Sequence, residues 1–200
     1  NGMRDEGDRG LEARGHSFAR CAGDCNVNVG STRAGERVMA YLGKLYSGLR
    51  LQINEAKSAV ASAFGRKFLG YELWESEGKE VKCKVSDKAL QDFKVSIRQL
   101  TRRTGGRSME QTVEKLRPYL LGWKGYFGMA QTPWVWRELD KWLRHRLRAI
   151  QLSHWKQPRT IYRELKAMGA SEDVAKQVAG SCHSWWRNST GGLNRVLTIA

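Results

Sequence analysis

SFARCAGDCNVNV, residues 17–29, is the stretch from which the fold is read. Apolar and polar residues alternate on both sides of a tight Ala22-Gly23-Asp24 centre, with Phe18 and Ala19 before it and Val27 and Val29 after it. Successive side chains of a strand point to opposite faces, so a period of two interrupted by a glycine-containing break is the pattern of two strands and a turn. The spacing predicts a β-hairpin that presents one carboxylate, Asp24, at its tip.

Working outward, residues 3–14 read as a helix feeding the hairpin, frayed by Gly7 and Gly10 at about 1 kcal/mol each against alanine. After the hairpin, Val38, Met39, Leu42 and Leu45 share one face of a helix over 31–48, with Gly48 as its stop. Strands are expected near Leu49–Ile53 and over Lys67–Trp74, and a polar turn at 75–79 leads into a third, Val81–Val85. From Ser86 the period becomes helical. Leu90, Phe93, Ile97 and Leu100 form a buried stripe, while Lys94, Arg98 and Arg102 recur at i, i+4 and i+8 on another face, up to a stop at Gly105-Gly106.

Ser108 with Gln111 predicts a capping box for the next helix, which buries Val113, Leu116, Leu120 and Trp123. Pro118 is expected to kink or break it, and Gly122, Gly125 and Gly128 to let another backbone approach. The ring-rich run 120–127 reads as core. Thr132-Pro133 predicts a capped start for a helix reaching about Ile150, with Leu139, Trp142, Leu143, Leu147 and Ile150 inward and Arg137, Lys141, Arg144 and Arg148 outward. Short helices follow over 159–168 and 171–179, with a final turn around Trp185.

Charge is unevenly distributed. Of 35 Lys/Arg and 20 Asp/Glu, residues 1–80 hold 12 and 11, leaving 23 and 9 for residues 81–200, a net of +14 out of +15. Such a surface attracts polyanions, nucleic acid above all. The absence of a transmembrane-length apolar run or a signal peptide gives the expectation of a cytoplasmic protein with no membrane partner. Cys21, Cys25, Cys83 and Cys182 contain no Cys-x-x-Cys pair and read as free thiols, not as a zinc site or a disulfide framework.

The hairpin resembles the Phe/Tyr-Ala-Asp-Asp box of reverse transcriptases, with Cys21 at the aromatic position and Gly23 at the first aspartate. Leu-Glu-Ala-Arg-Gly-His at 11–16, Asn54-x-x-Lys57-Ser58 and Phe68-Leu69-Gly70-Tyr71 are similar to segments of group II intron reverse transcriptase/maturases. Gln131-Thr-Pro-Trp-Val-Trp136 and Leu139-Asp-Lys-Trp-Leu-Arg144 are similar to the thumb, or maturase-specific X domain, of the same family, and Trp155-Lys156, Gly169 and Trp185-Trp186 continue the likeness. The resemblance implies an α+β chain: a partial polymerase palm at 1–79, a three-helix thumb/maturase domain at 80–157 and a short-helix extension at 158–200. Measured against that family, the fingers and the front of the palm, with the remaining catalytic aspartate, are expected to be missing upstream, and any DNA-binding or endonuclease part downstream.

By the same resemblance Asp24 is a residual catalytic and metal-binding carboxylate, with Mg²⁺ as the implied ion. Lys57 faces the phosphates of a nucleotide, and Phe68, Leu69, Gly70 and Tyr71 form a primer grip. Glycine offers no ligand, so the polymerase site is expected to be incomplete. RNA-binding cations are expected along the two helical stripes, at Lys94, Arg98 and Arg102 and at Arg137, Lys141, Arg144 and Arg148. Arg103, Arg107 and Lys124 join them, as do Lys156, Arg159 and Arg163. The expected function is binding of structured group II intron RNA to assist splicing, with an RNA/DNA template-primer as a further ligand. The alternatives are an active RNA-directed DNA polymerase within a longer chain, and a DNA-binding protein using the C-terminal short helices. Against the last, Glu172 and Asp173 put acid where a recognition helix would meet phosphate.

Overall fold

A computed structural model of the chain describes residues 2–21, 24–103 and 105–197. The chain is α+β and divides into two compact units, residues 1–81 and 82–200.

In the first unit, α1 (Gly2–Glu12) leads into the hairpin of β1 (Ser17–Cys21) and β2 (Asp24–Asn28). The strands pair antiparallel from Ser17 with Asn28 to Cys21 with Asp24; the hairpin forms as the alternation predicts, but Asp24, expected in the turn at its tip, is the first residue of β2, and Ala22 and Gly23 lie outside the described residues. Phe18 lies opposite Val27, and both pack on Leu11, Val38 and Leu42, the buried centre of this unit. Arg20, also half-buried, donates from Nε to Asp8 Oδ1 at 2.8 Å and from Nη1 to the Tyr46 hydroxyl at 3.1 Å, tying β1 to both flanking helices. α2 (Thr32–Gly48) starts where Ser31 Oγ accepts from the Ala34 N–H.

Four local expectations are corrected here. The glycines of α1 do not interrupt it: a Cβ on Gly10 would collide with the Tyr41 hydroxyl, and one on Gly7 would lie 3.2 Å from Leu45 Cδ2. They are the places where α1 and α2 come close, so the cost in helix propensity is exchanged for contact. The stop after α2 is not a left-handed Gly48; Arg50 takes that conformation, with φ 58°. No strand forms at Leu49–Ile53: the Leu49, Arg50 and Leu51 N–H groups turn back to carbonyls of α2 and are lost to any ladder. The apolar run at 67–74 is two strands, β3 (Lys67–Phe68) and β4 (Tyr71–Glu75), reversed at Leu69 and Gly70 with φ 50° and 78°. Positive φ at both central residues is the geometry of a two-residue hairpin loop, which matches the twist of the strands it joins.

The second unit begins on β5 (Val81–Val85), which is held by the segment before the fifth helix: Gln131 N donates to Cys83 O at 2.8 Å, and Cys83 Sγ to Met129 O at 3.1 Å. α3 (Asp87–Leu100), α4 (Met109–Phe127) and the long α5 (Pro133–Trp155) enclose Phe93, Ile97, Leu116, Val135, Leu139, Leu147 and Ile150. The Trp123 ring is packed by Phe93, Phe127 and Trp136 with centroids 4.4, 4.7 and 5.1 Å away, so the ring-rich run is core at Trp123 and Phe127, while Leu121 and Tyr126 of the same run are exposed. A second core lies along the end of α5, where Leu152 meets α6 (Pro158–Ala167), α7 (Glu172–Gly180) and the single turns α8 (Trp185–Asn188) and α9 (Leu193–Val196).

Helix boundaries here follow capping chemistry more closely than glycine positions. Ser86 caps α3, and the capping box of Ser108 and Gln111 is complete. α3 ends at Thr101, before Gly105, because the Thr101 hydroxyl turns back to the Ile97 carbonyl; Arg102 therefore leaves the helical stripe and lies in the loop. α4 buries Thr112 where Val113 was expected, and Val113 is exposed. Pro118 lies inside α4 without ending it; it is exposed, so the carbonyl one turn earlier that loses its N–H partner is on the side of the helix open to water. No backbone approaches Gly122 or Gly125, which face open space, and Gly128 meets only carbonyls of its own helix. Thr132 is the N-cap residue of α5, but its buried hydroxyl makes no cap bond, and the helix runs five residues past Ile150.

Candidate nucleic-acid interface

The cations singled out along the second unit divide into three groups, with buried Arg148 apart from them. Lys141 and Arg144 are paired on their own helix, with Glu138 at 2.7 Å and Asp140 at 2.8 Å, and Arg163 with its neighbour Glu164 at 2.6 Å. Lys94 and Arg107 are half-buried, while Arg102, Lys124, Arg137, Lys156 and Arg159 are exposed, and none of these seven has a carboxylate partner among the described residues. Arg148 is a correction. It shares the helical stripe of Arg137 and Arg144 but is buried, with Nε donating to the Ser189 carbonyl at 2.9 Å, because the C-terminal segment folds back over that end of α5. A covered guanidinium cannot meet a phosphate. Arg148→Met should therefore cost about 1–3 kcal/mol of unfolding free energy by orphaning a carbonyl, yet leave the salt dependence of RNA binding unchanged. Urea melts and titrations at several salt concentrations check both parts.

The third group is where the fold concentrates charge. Trp142 on α5 has two guanidiniums over its ring, Arg98 of α3 at 5.5 Å and Arg146 of α5 at 5.4 Å from the centroid. Arg103, in the loop after α3, lies 5.4 Å from the centroid of Trp185. Arg146 is fixed in place by donating from Nε to the Thr101 hydroxyl at 2.8 Å and from Nη2 to the Thr101 carbonyl at 3.4 Å, and Thr101 is itself buried. Burial first, and then the charges of Arg98 and Arg103, push the Arg146 guanidinium below its ordinary pKa. No carboxylate among the described residues pairs with any of the three. Arginine keeps its charge in such a setting, so the cluster stores mutual repulsion that an anion relieves.

Trp185 is brought to Arg103 by the same fold-back that covers Arg148. His145 stacks on Trp186 with centroids 3.7 Å apart and its Nε2 bonds the Trp186 carbonyl at 2.8 Å, while Ser189 Oγ donates to that carbonyl at 2.7 Å. Planar guanidiniums held over indole rings, those of Arg98 and Arg103 without a hydrogen-bond acceptor among the described residues, offer two modes at once, bidentate bonding to phosphate and stacking on bases. Arg146 is absent from the cations read off the sequence, where Trp142 reads only as an inward core residue and Trp185 only as part of a final turn. The available signal was Trp142 and Arg146 at i, i+4 on α5, one helix away from a basic stripe containing Arg98.

Residues 90–169 match the family described as group II intron, maturase-specific domain. The second unit carries a maturase-specific domain. The match opens in α3 at Leu90 and closes at Gly169 after α6, so it takes in Arg98, Arg103, Trp142 and Arg146, while Trp185 lies beyond it. None of the curated proteins compared with the chain matches it. A maturase-type group II intron protein has intron RNA as its general partner, which agrees with the sign and placement of the charge.

The residues singled out in the first unit are not gathered in this way. Asp24 opens β2 and is exposed; Lys57 is exposed on a turn in which the Lys57 and Ser58 N–H groups bond Asn54 O at 3.0 and 2.9 Å. Phe68, Leu69, Gly70 and Tyr71 form the tip of the β3–β4 hairpin, with Leu69 exposed. Among the described residues no three His, Cys, Asp or Glu side chains group as a metal site, and Asp24 by itself does not make one for Mg²⁺. Cys25, Cys83 and Cys182 are free thiols, and no helix of the described residues is long and apolar enough to cross a membrane.

Proposed function

We propose that the second unit binds structured group II intron RNA to assist its splicing, with Arg98, Arg103 and Arg146 as the centre of the phosphate-facing surface. The observation that carries this reading is the trio itself: three guanidiniums, two of them sharing the Trp142 ring, with no acid among the described residues to neutralise them. Proteins do not ordinarily bring like charges together and desolvate one of them unless a counter-charge is supplied from outside. Arg102, Lys124, Arg137 and Arg159 extend the exposed positive surface, and an RNA/DNA template-primer would meet the same cations. The acids at the start of α7 do not compete for that role: Glu172 is held by the Tyr162 hydroxyl, Lys176 and Lys166.

Titrating the chain against a folded group II intron RNA domain and against duplex DNA of equal length tests the reading. RNA is expected to bind more tightly at every salt concentration. Four to six phosphate contacts imply a slope of log affinity against log salt of roughly −3 to −5. Equal affinity for the two nucleic acids would remove the case for RNA, and a flat salt dependence would remove the case for these cations.

A further inference from the structure

Beside the arginine cluster, where α5 ends and α6 begins, lies a cavity of about 530 Å³ open to solvent. Its walls include Ser153, Lys156, Gln157, Cys182, His183 and Trp185. We propose that this cavity receives a single unpaired nucleotide of the bound RNA, with the base among Trp185, Gln157 and His183 and its phosphate on Lys156. The inference rests on the RNA-binding reading above and adds to it the kind of RNA preferred: one with a nucleotide free to leave its stack.

Four observations lead to it. The volume lies within the roughly 300–1,000 Å³ of small-ligand sites, and a nucleotide is a ligand of that class. Trp185 belongs to two places at once, lining the cavity while Arg103 lies over its ring, so a phosphate chain tracking the arginine cluster passes the cavity mouth. Trp185 is half-buried and lines the cavity, so part of its ring is open to a stacked base. Lys156 is a non-glycine residue with φ 53°, and left-handed backbone at a cavity wall is strain of the sort retained where a side chain must be aimed. The remaining wall groups suit a base edge. Gln157 and His183 are exposed and offer both donors and acceptors, and Ser153 Oγ, which donates to Ile150 O at 2.7 Å, keeps lone pairs to accept. RNA is recognised chiefly at such splayed nucleotides, since its major groove is too narrow for side chains to read.

The test uses the full chain and two RNA hairpins that differ by one bulged nucleotide, 2-aminopurine, in the stem. The bulged RNA is expected to bind about tenfold more tightly, and the fluorescence of the 2-aminopurine to change on binding. Gln157→Ala combined with His183→Ala, both at exposed positions, is expected to bring the two affinities within about twofold, leaving affinity for the continuous stem and its salt slope unchanged. Equal affinities in the unaltered chain, or a preference that survives the double change, would overturn the cavity assignment while leaving the RNA-binding reading in place. If neither hairpin binds, the reading and the inference fall together. A free nucleoside monophosphate is expected to compete for the bulged RNA only at millimolar levels. Competition at micromolar levels would reassign the cavity to a free nucleotide and overturn the proposal.

Discussion

Replacing Arg98, Arg103 and Arg146 together by glutamine is expected to weaken binding to structured RNA on the order of a hundredfold at roughly 0.1 M salt. Each phosphate contact contributes about −0.7 to −0.9 to the slope of log affinity against log salt, which near 0.1 M is a factor of about six per contact. Three such factors multiply to roughly two hundred, and the slope itself should fall by about two to three. Arg146 also donates to Thr101, so its loss leaves buried groups unsatisfied and could unsettle the end of α3. Arg98→Gln with Arg103→Gln avoids that complication, because both side chains are exposed and contribute no hydrogen bond to the fold among the described residues. The pair is expected to cost roughly thirtyfold, with the melting temperature unchanged. An affinity loss with an unaltered salt slope would mean that the arginines act through packing and not through phosphate.

The second large effect is on stability. A chain beginning at Lys82 is expected to melt as one cooperative unit and to keep its RNA affinity within about threefold. Within it, Leu152→Ala should lower the unfolding free energy by about 2–5 kcal/mol. Leu152 is fully buried at the point where α5 passes from the three-helix core to the core it shares with α6 and α7, so a cavity there loosens the packing of the C-terminal segment. The first unit has less to draw on. Its buried apolar side chains centre on Leu11, Val38 and Leu42, and a two-stranded hairpin is at best marginal in water without a packing partner. Residues 1–81 alone are expected to melt at lower temperature and with a broader transition. Circular dichroism melts of the two pieces compare them, and a sharper, hotter transition for 1–81 would reverse the assignment.

Much of this was legible because the signals were local and chemically specific. The period-two alternation around 17–29 gave the hairpin, though it put Asp24 in the turn and not in β2, and Ser31, Ser86, Ser108 and Ser171 each marked a helix start by accepting from the backbone three residues on. What failed to read correctly depended on the partner that a residue meets in three dimensions. Gly7 and Gly10 look like helix breakers in sequence and prove to be contact points against Leu45 and Tyr41. The glycines at 122 and 125 look like contact points and prove to face nothing. Leu69 sits in a left-handed turn that leucine rarely adopts, so Gly70 was the one local signal that the apolar run splits there.

The candidate interface was half legible for the same reason. Arg98 followed from the period of α3, and Arg103 from the basic loop behind it. Arg146 and the two tryptophans needed the crossing of α5 with the end of α3 and the return of the C-terminal segment, and neither is encoded in spacing along one helix. Arg148 shows the converse, since it keeps perfect helical register with Arg137 and Arg144 yet is removed from the surface by residues forty positions away, of which Ser189 is the one it bonds.

The most direct test of the account is to map protein–RNA cross-links by mass spectrometry on the full chain bound to a folded group II intron RNA domain. The account predicts cross-linked peptides clustered on residues 94–107, 137–146 and 183–187, lost together when Arg98 and Arg103 are replaced by glutamine. Cross-links confined to α6 and α7, or to residues 2–81, with the arginine cluster untouched, would contradict it.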